Sequence, residues 1–178
     1  MRRIIESSFV SLDGVIGDPR AWAMQYFDDD SQQAALQRLL ASDAMLMGRG
    51  TYEYFADDPP QTGEYADRIN AIPKYVFSST LESADWSNST IVRGDVPAAV
   101  RELKQQEGQD LLIYGHGQLG QTLLEHHLLD ELHFAIHPVL VGHGQPLARA
   151  GQQKPLKLLA TTELTTGVVV VSYQPAQT

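Results

Sequence analysis

The 178-residue sequence contains no cysteine, which removes disulfides, thiolate catalysis and cysteine-based zinc sites from consideration. It also lacks a run of about 18 apolar residues and a signal-like start, because Met1-Arg2-Arg3 leads straight into an alternating segment. These absences favour a cytoplasmic protein without a membrane partner.

Basic residues are scarce, since 13 Lys and Arg face 22 Asp and Glu, for a formal charge of −9. Such a protein repels nucleic acid and anionic membranes, so we expect neither as a partner. A phosphate-bearing ligand would need a local site built from helix N-termini and one or two cationic side chains. The length allows one domain over residues 1–178, but not a complete dinucleotide domain with a separate catalytic domain.

Short apolar strands alternate with helices through residue 126, and the tail forms a β-hairpin over residues 156–162 and 168–173. Apolar residues recur at helical spacing over residues 31–41, and Asp30 with Gln33 makes a capping box at the start of this helix. The alternation predicts a three-layer α/β fold with a mainly parallel sheet and antiparallel strands at one edge. Ligands of such sheets bind beyond the carboxyl ends of the strands.

One segment matches the dinucleotide-binding pattern G-x-G-x-x-G, with Gly115, Gly117 and Gly120 between a buried strand and a helix. A standard Rossmann fold is disfavoured, because only about 60 residues follow and the acidic pair Asp130-Glu131 comes too early for the ribose contact. The pattern alone fits a structural glycine turn without a ligand equally well.

A second turn has the same design, because a strand leads through Gly48, Arg49 and Gly50 into a helix. Arg49 could hold phosphate oxygens with two parallel hydrogen bonds, and Thr51 could donate another from the first helical turn. Two such turns in one small sheet suggest that each holds one half of a dinucleotide's diphosphate.

The order of several short motifs resembles the dihydrofolate reductase superfamily, and more closely its bacterial branch related to the reductase domain of the riboflavin-biosynthesis deaminase-reductase. The motifs are Ser11-Leu12-Asp13-Gly14, Leu46 to Glu53, Lys74 to Leu81, Gly115 to Leu119, Leu128 to Leu132 and Pro138 to Gly144. The resemblance implies a single dihydrofolate reductase-like domain, with its three-layer α/β fold, that binds NADPH and acts as a homodimer.

The resemblance also implies roles for individual positions. It places Arg49 and Thr51, with Gly48 and Gly50, around the cofactor's phosphates. Ser78, Ser79 and Thr80 would lie beside the adenosine 2′-phosphate, which favours NADPH over NADH. Gly115, His116, Gly117, Gln118 and Leu119 would form the turn over the pyrophosphate, and the loop with Val15 and Ile16 would close on the nicotinamide.

Proton donors for a reduction are few in the sequence. Asp28 lies roughly where dihydrofolate reductases carry a catalytic carboxylate, and Asp13 is the alternative candidate. Capping of the following helix is the stronger explanation for the 28–30 region, an Asp before Gly more often bonds its own backbone, and water could deliver the proton. His133 and His137 do not predict a metal site, because this spacing on a strand is about 13 Å.

The leading prediction is therefore an NADPH-dependent reductase of a small, planar or carbonyl-containing metabolite, such as a pterin-like or pyrimidine-like compound. Two alternatives stay open: a protein that binds NADPH without turnover, and an α/β interaction module whose glycine turns are structural.

Overall fold

The computed structural model describes residues 1–148 and 153–176, and within them it shows a single eight-stranded sheet with helices on both faces. The strands are β1 Ile4–Ser11, β2 Ser42–Gly48, β3 Lys74–Phe77, β4 Ser89–Val92, β5 Asp110–Tyr114, β6 Glu131–His137, β7 Leu156–Glu163 and β8 Val169–Pro175. The helices are α1 Pro19–Trp22, α2 Asp29–Leu40, α3 Arg49–Ala56, α4 Glu64–Ala71, α5 Val96–Gln105 and α6 Gln118–Glu125, and a 3₁₀ turn covers Met24–Tyr26.

The strand order is β4-β3-β2-β5-β1-β6-β8-β7. The six strands from β4 to β6 are parallel to one another, whereas β6 pairs with β8, and β8 with β7, in antiparallel fashion. The predicted mainly parallel sheet with a closing hairpin is therefore confirmed. Because the parallel strands all run the same way, the loops after β1, β2, β3 and β5 gather at one edge of the sheet.

Each face of the sheet has its own apolar core. On one face, Ile4 and Leu111 pack with Val100 of α5 and Leu123 of α6. On the other face, Met45, Met47 and Leu112 pack with Leu39 of α2, Tyr52 of α3 and Ile69 of α4. This two-sided burial explains why the central parallel strands are apolar almost throughout.

The start of α2 differs from the sequence prediction. Asp28, not Asp30, is the N-cap: its backbone is extended, with φ −106° and ψ −172°, and its carboxylate accepts a hydrogen bond from Ser31 N at 3.0 Å. Any of the three consecutive aspartates could serve as the N-cap, so the residue types alone do not predict which one does. Asp30 lies in the first helical turn, where its negative charge still favours the positive end of the helix dipole.

The helices of this fold are short. Along the two described ranges, none combines the length and the apolarity that a bilayer-spanning helix needs.

Candidate functional site

The two glycine turns lie side by side at the carboxyl edge of the sheet. β2 and β5 are neighbouring parallel strands, with Leu46 opposite Ile113, so the turns after them open at the same level. The Thr51 hydroxyl donates a hydrogen bond to the Tyr114 carbonyl at 3.2 Å, which ties the start of α3 to the end of β5. The fold thus places next to each other two segments that are more than 60 residues apart in the chain.

Both turns present free backbone amides to open space. Gly48 caps α3 and Gly117 caps α6, and neither helix has a side-chain cap. A Cβ built on Gly50 or Gly117 would meet no atom within 4 Å, so there is room for a ligand directly beside these amides. Amides at the positive end of a helix dipole favour an anion such as a phosphate.

A cleft of about 1390 Å³ runs along this edge of the sheet. It collects nearly all of the predicted cofactor residues: Ile16, Gly48, Arg49, Gly50, Thr51, Ser78, Ser79, Thr80, Gly115, His116, Gly117, Gln118 and Leu119. Val15 is the exception, because it is buried and pairs with Pro146 in an isolated β-bridge. Val15 therefore anchors the loop after β1, while its neighbour Ile16 faces the cleft.

Arg49 connects the second turn to the loop after β3. Its Nε donates to Glu53 at 2.6 Å, and its guanidinium donates to the Thr80 hydroxyl at 2.9 Å. Both Arg49 and Glu53 are exposed in the ion pair, and exposed pairs of this kind contribute little stability. The guanidinium can therefore exchange its present partners for phosphate oxygens without a large cost.

The loop after β3 is held in shape from two sides. The Ser78 hydroxyl accepts hydrogen bonds from the Thr80 and Leu81 amides, at 3.2 Å and 3.0 Å. Arg93, which follows β4 directly, donates to the carbonyls of Ser79 at 2.9 Å and Leu81 at 2.6 Å. Arg93 was not among the residues predicted from the sequence, although a basic residue directly after a strand candidate was the signal that could have indicated it.

The imidazole of His116 is buried against the core, although the residue also borders the cleft. Its Nδ1 lies 2.7 Å from Oε1 of Glu6 on β1, its ring contacts the edge of Phe134, and its backbone amide donates to the Ser8 hydroxyl at 3.2 Å. Burial raises the pKa of the Glu6 carboxyl, partly offset by the hydrogen bond from His116. His116 is thus a supporting residue, and the amides left for a ligand are those that follow it in the turn.

Gly120, the third glycine of the motif, is required by this buried pair. A Cβ at position 120 would overlap Oε2 of Glu6 and press on the His116 ring. The G-x-G-x-x-G pattern therefore combines two functions in this protein. Gly117 leaves open space for a ligand, and Gly120 makes room for a buried carboxylate.

Neither of the predicted catalytic carboxylates lines the cleft. Asp13 accepts hydrogen bonds from the Ser11 hydroxyl at 2.6 Å and from the amides of Val141 and Gly142, which lower its pKa to about 2. The carboxylate of Asp28 caps α2 through Ser31 and also accepts the Thr165 hydroxyl, and these bonds lower its pKa. Both carboxylates therefore have structural partners in the fold, and a role for either as proton donor stays a prediction, since a proton donor needs access to the substrate.

The two histidines of β6 have separate partners. His133 lies 3.1 Å from both Glu131 and the Ser172 hydroxyl, whereas Nδ1 of His137 bonds the Ala135 carbonyl at 2.8 Å. Burial lowers the pKa of both rings. In the described part of the chain, no three His, Asp or Glu side chains converge in a way that could hold a metal ion.

The part of the cleft lined by aromatic and small apolar side chains is here called its aromatic end. These side chains include Phe9, Phe27, Tyr54, Tyr65, Tyr114, Ala135 and Val170. The charged side chains that also line the cleft are Asp18, Arg20, Arg38, Arg49 and Asp58. Sequence reading missed Arg38 and Asp58, because their helix and loop contexts look like ordinary solvated positions.

Comparison with known proteins agrees with this architecture. Residues 2–170 match the family of the RibD C-terminal domain. The chain belongs to this family. The RibD C-terminal domain match covers both glycine turns, and it supports a reductase-type enzyme with the dihydrofolate reductase-like fold.

One curated relative is the uncharacterized protein YyaP of Bacillus subtilis (strain 168), which is 30% identical over 179 residues, covering 97% of this chain and 94% of YyaP. Two solved structures share the fold of this RibD C-terminal domain protein at low identity. A pyrimidine reductase-like protein from Corynebacterium diphtheriae has a TM-score of 0.74 at 12% identity, covering 99% of this chain and 93% of its own.

The second structure is the diaminohydroxyphosphoribosylaminopyrimidine deaminase/5-amino-6-(5-phosphoribosylamino)uracil reductase from Thermotoga maritima. It has a TM-score of 0.70 at 17% identity and covers 98% of this chain but 57% of its own. The present chain therefore matches one part of that longer protein.

Proposed function

We propose that this protein is an NADPH-dependent reductase of a small planar or carbonyl-containing metabolite. The supporting observation is the pair of uncapped helix starts, at Gly48 and Gly117, on neighbouring parallel strands beside Arg49. Two adjacent anion sites within one cleft suit a ligand that carries two linked phosphates.

The residues around the glycine turns fit the phosphates of the cofactor. The amides at the start of α3 and α6 would hold the diphosphate, because Gly50 and Gly117 leave the backbone accessible. Arg49 would add a charge-assisted hydrogen bond from its exposed guanidinium. When bound, NADPH supplies the hydride, and the task of the protein is to orient the substrate against it.

A preference for NADPH over NADH would come from the loop after β3. Ser78, Ser79 and Thr80 line the cleft there, and the exposed Arg93 donates hydrogen bonds to carbonyls of the same loop. Hydroxyl groups with a nearby guanidinium favour the additional phosphate that distinguishes NADPH.

The substrate would occupy the aromatic end of the cleft. Flat side chains such as Phe27 and Tyr54 suit a planar ring, and a pterin-like or pyrimidine-like compound fits this surface. Asp58 and Asp18 join Asp13 and Asp28 as candidate proton donors, since both line the cleft, and water could also deliver the proton.

The experiment is a fluorescence titration of the protein with NADPH and NADH. We expect the wild type to bind NADPH more tightly than NADH, and Arg49→Ala to weaken NADPH by about 1.5 to 3 kcal/mol through loss of a charged hydrogen bond. Arg101→Ala is the matched control, because Arg101 is exposed on α5, on the opposite face of the sheet.

Each alternative function has its own outcome. No binding of either nucleotide below about 1 mM would leave an α/β interaction module. Tight NADPH binding without NADPH oxidation, across a panel of pterins, quinones, pyrimidines and flavin precursors, would favour a binding protein. Equal affinities of Arg49→Ala and Arg101→Ala would contradict the placement of the phosphates.

A further inference from the structure

Three arginines line the cleft, and two of them are already paired within the protein. Arg20 donates to the Tyr54 carbonyl and lies 4.2 Å above the Tyr54 ring, while Arg49 pairs with Glu53. Arg38, on α2, is different. Within residues 1–148 and 153–176, no carboxylate forms a salt bridge with it, and its guanidinium makes no hydrogen bond.

The surroundings of Arg38 do not supply the missing negative charge. Tyr114 interacts with Arg38 electrostatically, but burial raises the pKa of its phenol to about 12. Burial likewise raises the pKa of Tyr65, which lines the cleft beside Tyr114. His133 also feels the Arg38 charge, and burial lowers the pKa of its ring. These groups therefore remain neutral at physiological pH.

An unpaired guanidinium in such a place is costly. Arg38 is half-buried, and burial lowers its pKa because the charged form loses contact with water. Groups of this kind are normally paired or fully solvated. A guanidinium that faces a cleft without a protein partner is suited to bind a planar oxyanion with two parallel hydrogen bonds.

Arg38 lies on α2, outside the two glycine turns, and lines the same cleft. Ser7 of β1 lies opposite both Tyr114 of β5 and His133 of β6, so these residues form one row across three neighbouring strands. The positive charge of Arg38 lowers the pKa of two members of that row, Tyr114 and His133. Tyr114 directly precedes Gly115, so the row adjoins the glycine turn after β5.

We propose that Arg38 is a substrate-recognition residue that binds an anionic oxygen group, a carboxylate or a phosphate, on the molecule that enters the aromatic end of the cleft. The substrate class is then an acid, not a neutral ring compound. This identity as a substrate rests on the proposed reductase function, whereas the anion site itself can be tested without it.

The test is NMR of protein labelled with ¹⁵N at arginine, with the Arg38 Nε–H signal assigned as the one missing from Arg38→Met. Benzoate, phenyl phosphate and neutral benzamide serve as probes, each titrated to about 50 mM. We expect a saturable shift of the Arg38 signal with benzoate or phenyl phosphate and none with benzamide. The comparison between the two anions tells a carboxylate site from a phosphate site.

Matched variants check that the effect belongs to this side chain. Ligand-observed NMR should show that Arg38→Met weakens binding of the effective anion about tenfold or more, whereas Arg101→Met leaves it unchanged. An unmoved Arg38 signal with both anions, or an equal shift with benzamide, would overturn the proposal. If Arg38→Met does not fold, Arg38→Lys replaces it for assigning the Arg38 signal, so the wild-type titration remains decisive.

The same spectra separate this proposal from the reductase function. NADPH should shift the Arg49 signal, because that residue belongs to the phosphate turns, and should leave anion binding at Arg38 intact. Failure of NADPH to bind would remove the reductase function while an anion response at Arg38 would still establish the site.

Discussion

Glu6 and His116 form a fully buried hydrogen-bonded pair, 2.7 Å apart, across 110 residues of sequence. Together with the hydrogen bond from the His116 amide to the Ser8 hydroxyl, the pair ties the start of the glycine turn after β5 to β1. Oε2 of Glu6 has no hydrogen-bond partner among the described residues and lies against Gly120. The rigidity of the turn therefore depends on a polar contact inside the core.

The two glycines of one motif should behave differently when each is replaced by alanine. In Gly120→Ala the new methyl group overlaps the buried Glu6 carboxylate. We therefore expect the free energy of unfolding to fall by about 1 to 3 kcal/mol. In Gly117→Ala the methyl enters open space, so stability should change little, while NADPH affinity should fall at least tenfold. Urea unfolding and nucleotide titration measure the two effects. Equal stability of the two variants would show that the core accommodates the extra methyl group.

Asp28 should behave as a helix cap and not as a proton donor. Asp28→Ala removes the acceptor for the Ser31 amide and should lower the free energy of unfolding by about 0.5 to 2 kcal/mol. NADPH affinity should be unchanged, because Asp28 does not line the cleft. The matched control is Asp30→Ala, which should cost less than Asp28→Ala. The reverse order would restore the sequence-based assignment of Asp30 as the cap.

Asp13 should contribute to stability in a manner that depends on pH. Its pKa is about 2 in the folded protein, below the ordinary value of 3.8, because the Ser11 hydroxyl and two backbone amides bond its carboxylate. The unfolded chain therefore takes up the proton first as the pH falls. The stabilisation is present above about pH 4 and is lost as the pH drops towards 2.

The variant Asp13→Asn tests this dependence by urea unfolding at several pH values. The stability difference between wild type and variant should be largest near neutral pH and should shrink below pH 4. Glu102→Gln, a change at an exposed position on α5, controls for the general effect of acid. A difference that stayed constant down to pH 2 would mean that Asp13 is not held by these hydrogen bonds.

Local features of the chain followed directly from the sequence. The glycine turns after β2 and β5 were predicted with their helices, because strand, glycine and helix start are neighbours along the backbone. The hairpin of β7 and β8 was predicted, and its turn contains Gly167, which has the positive φ of 84° that glycine readily adopts. Apolar periodicity and turn residues encode such elements without any long-range contact.

Only the tertiary structure determined which of these local elements lie next to each other. Pairing of β2 with β5 placed Thr51 against Tyr114, and pairing of β1 with β5 and β6 brought Glu6 to His116. Strand order depends on which helices cover which face, and no short window of sequence contains that information. The partners of charged side chains also depend on tertiary structure. Asp13 accepts hydrogen bonds from residues almost 130 positions away, whereas Arg38 has no salt-bridge partner among the described residues. A sequence shows which residues can be charged, whereas only the folded neighbourhood determines which charges are satisfied and which remain available for a ligand.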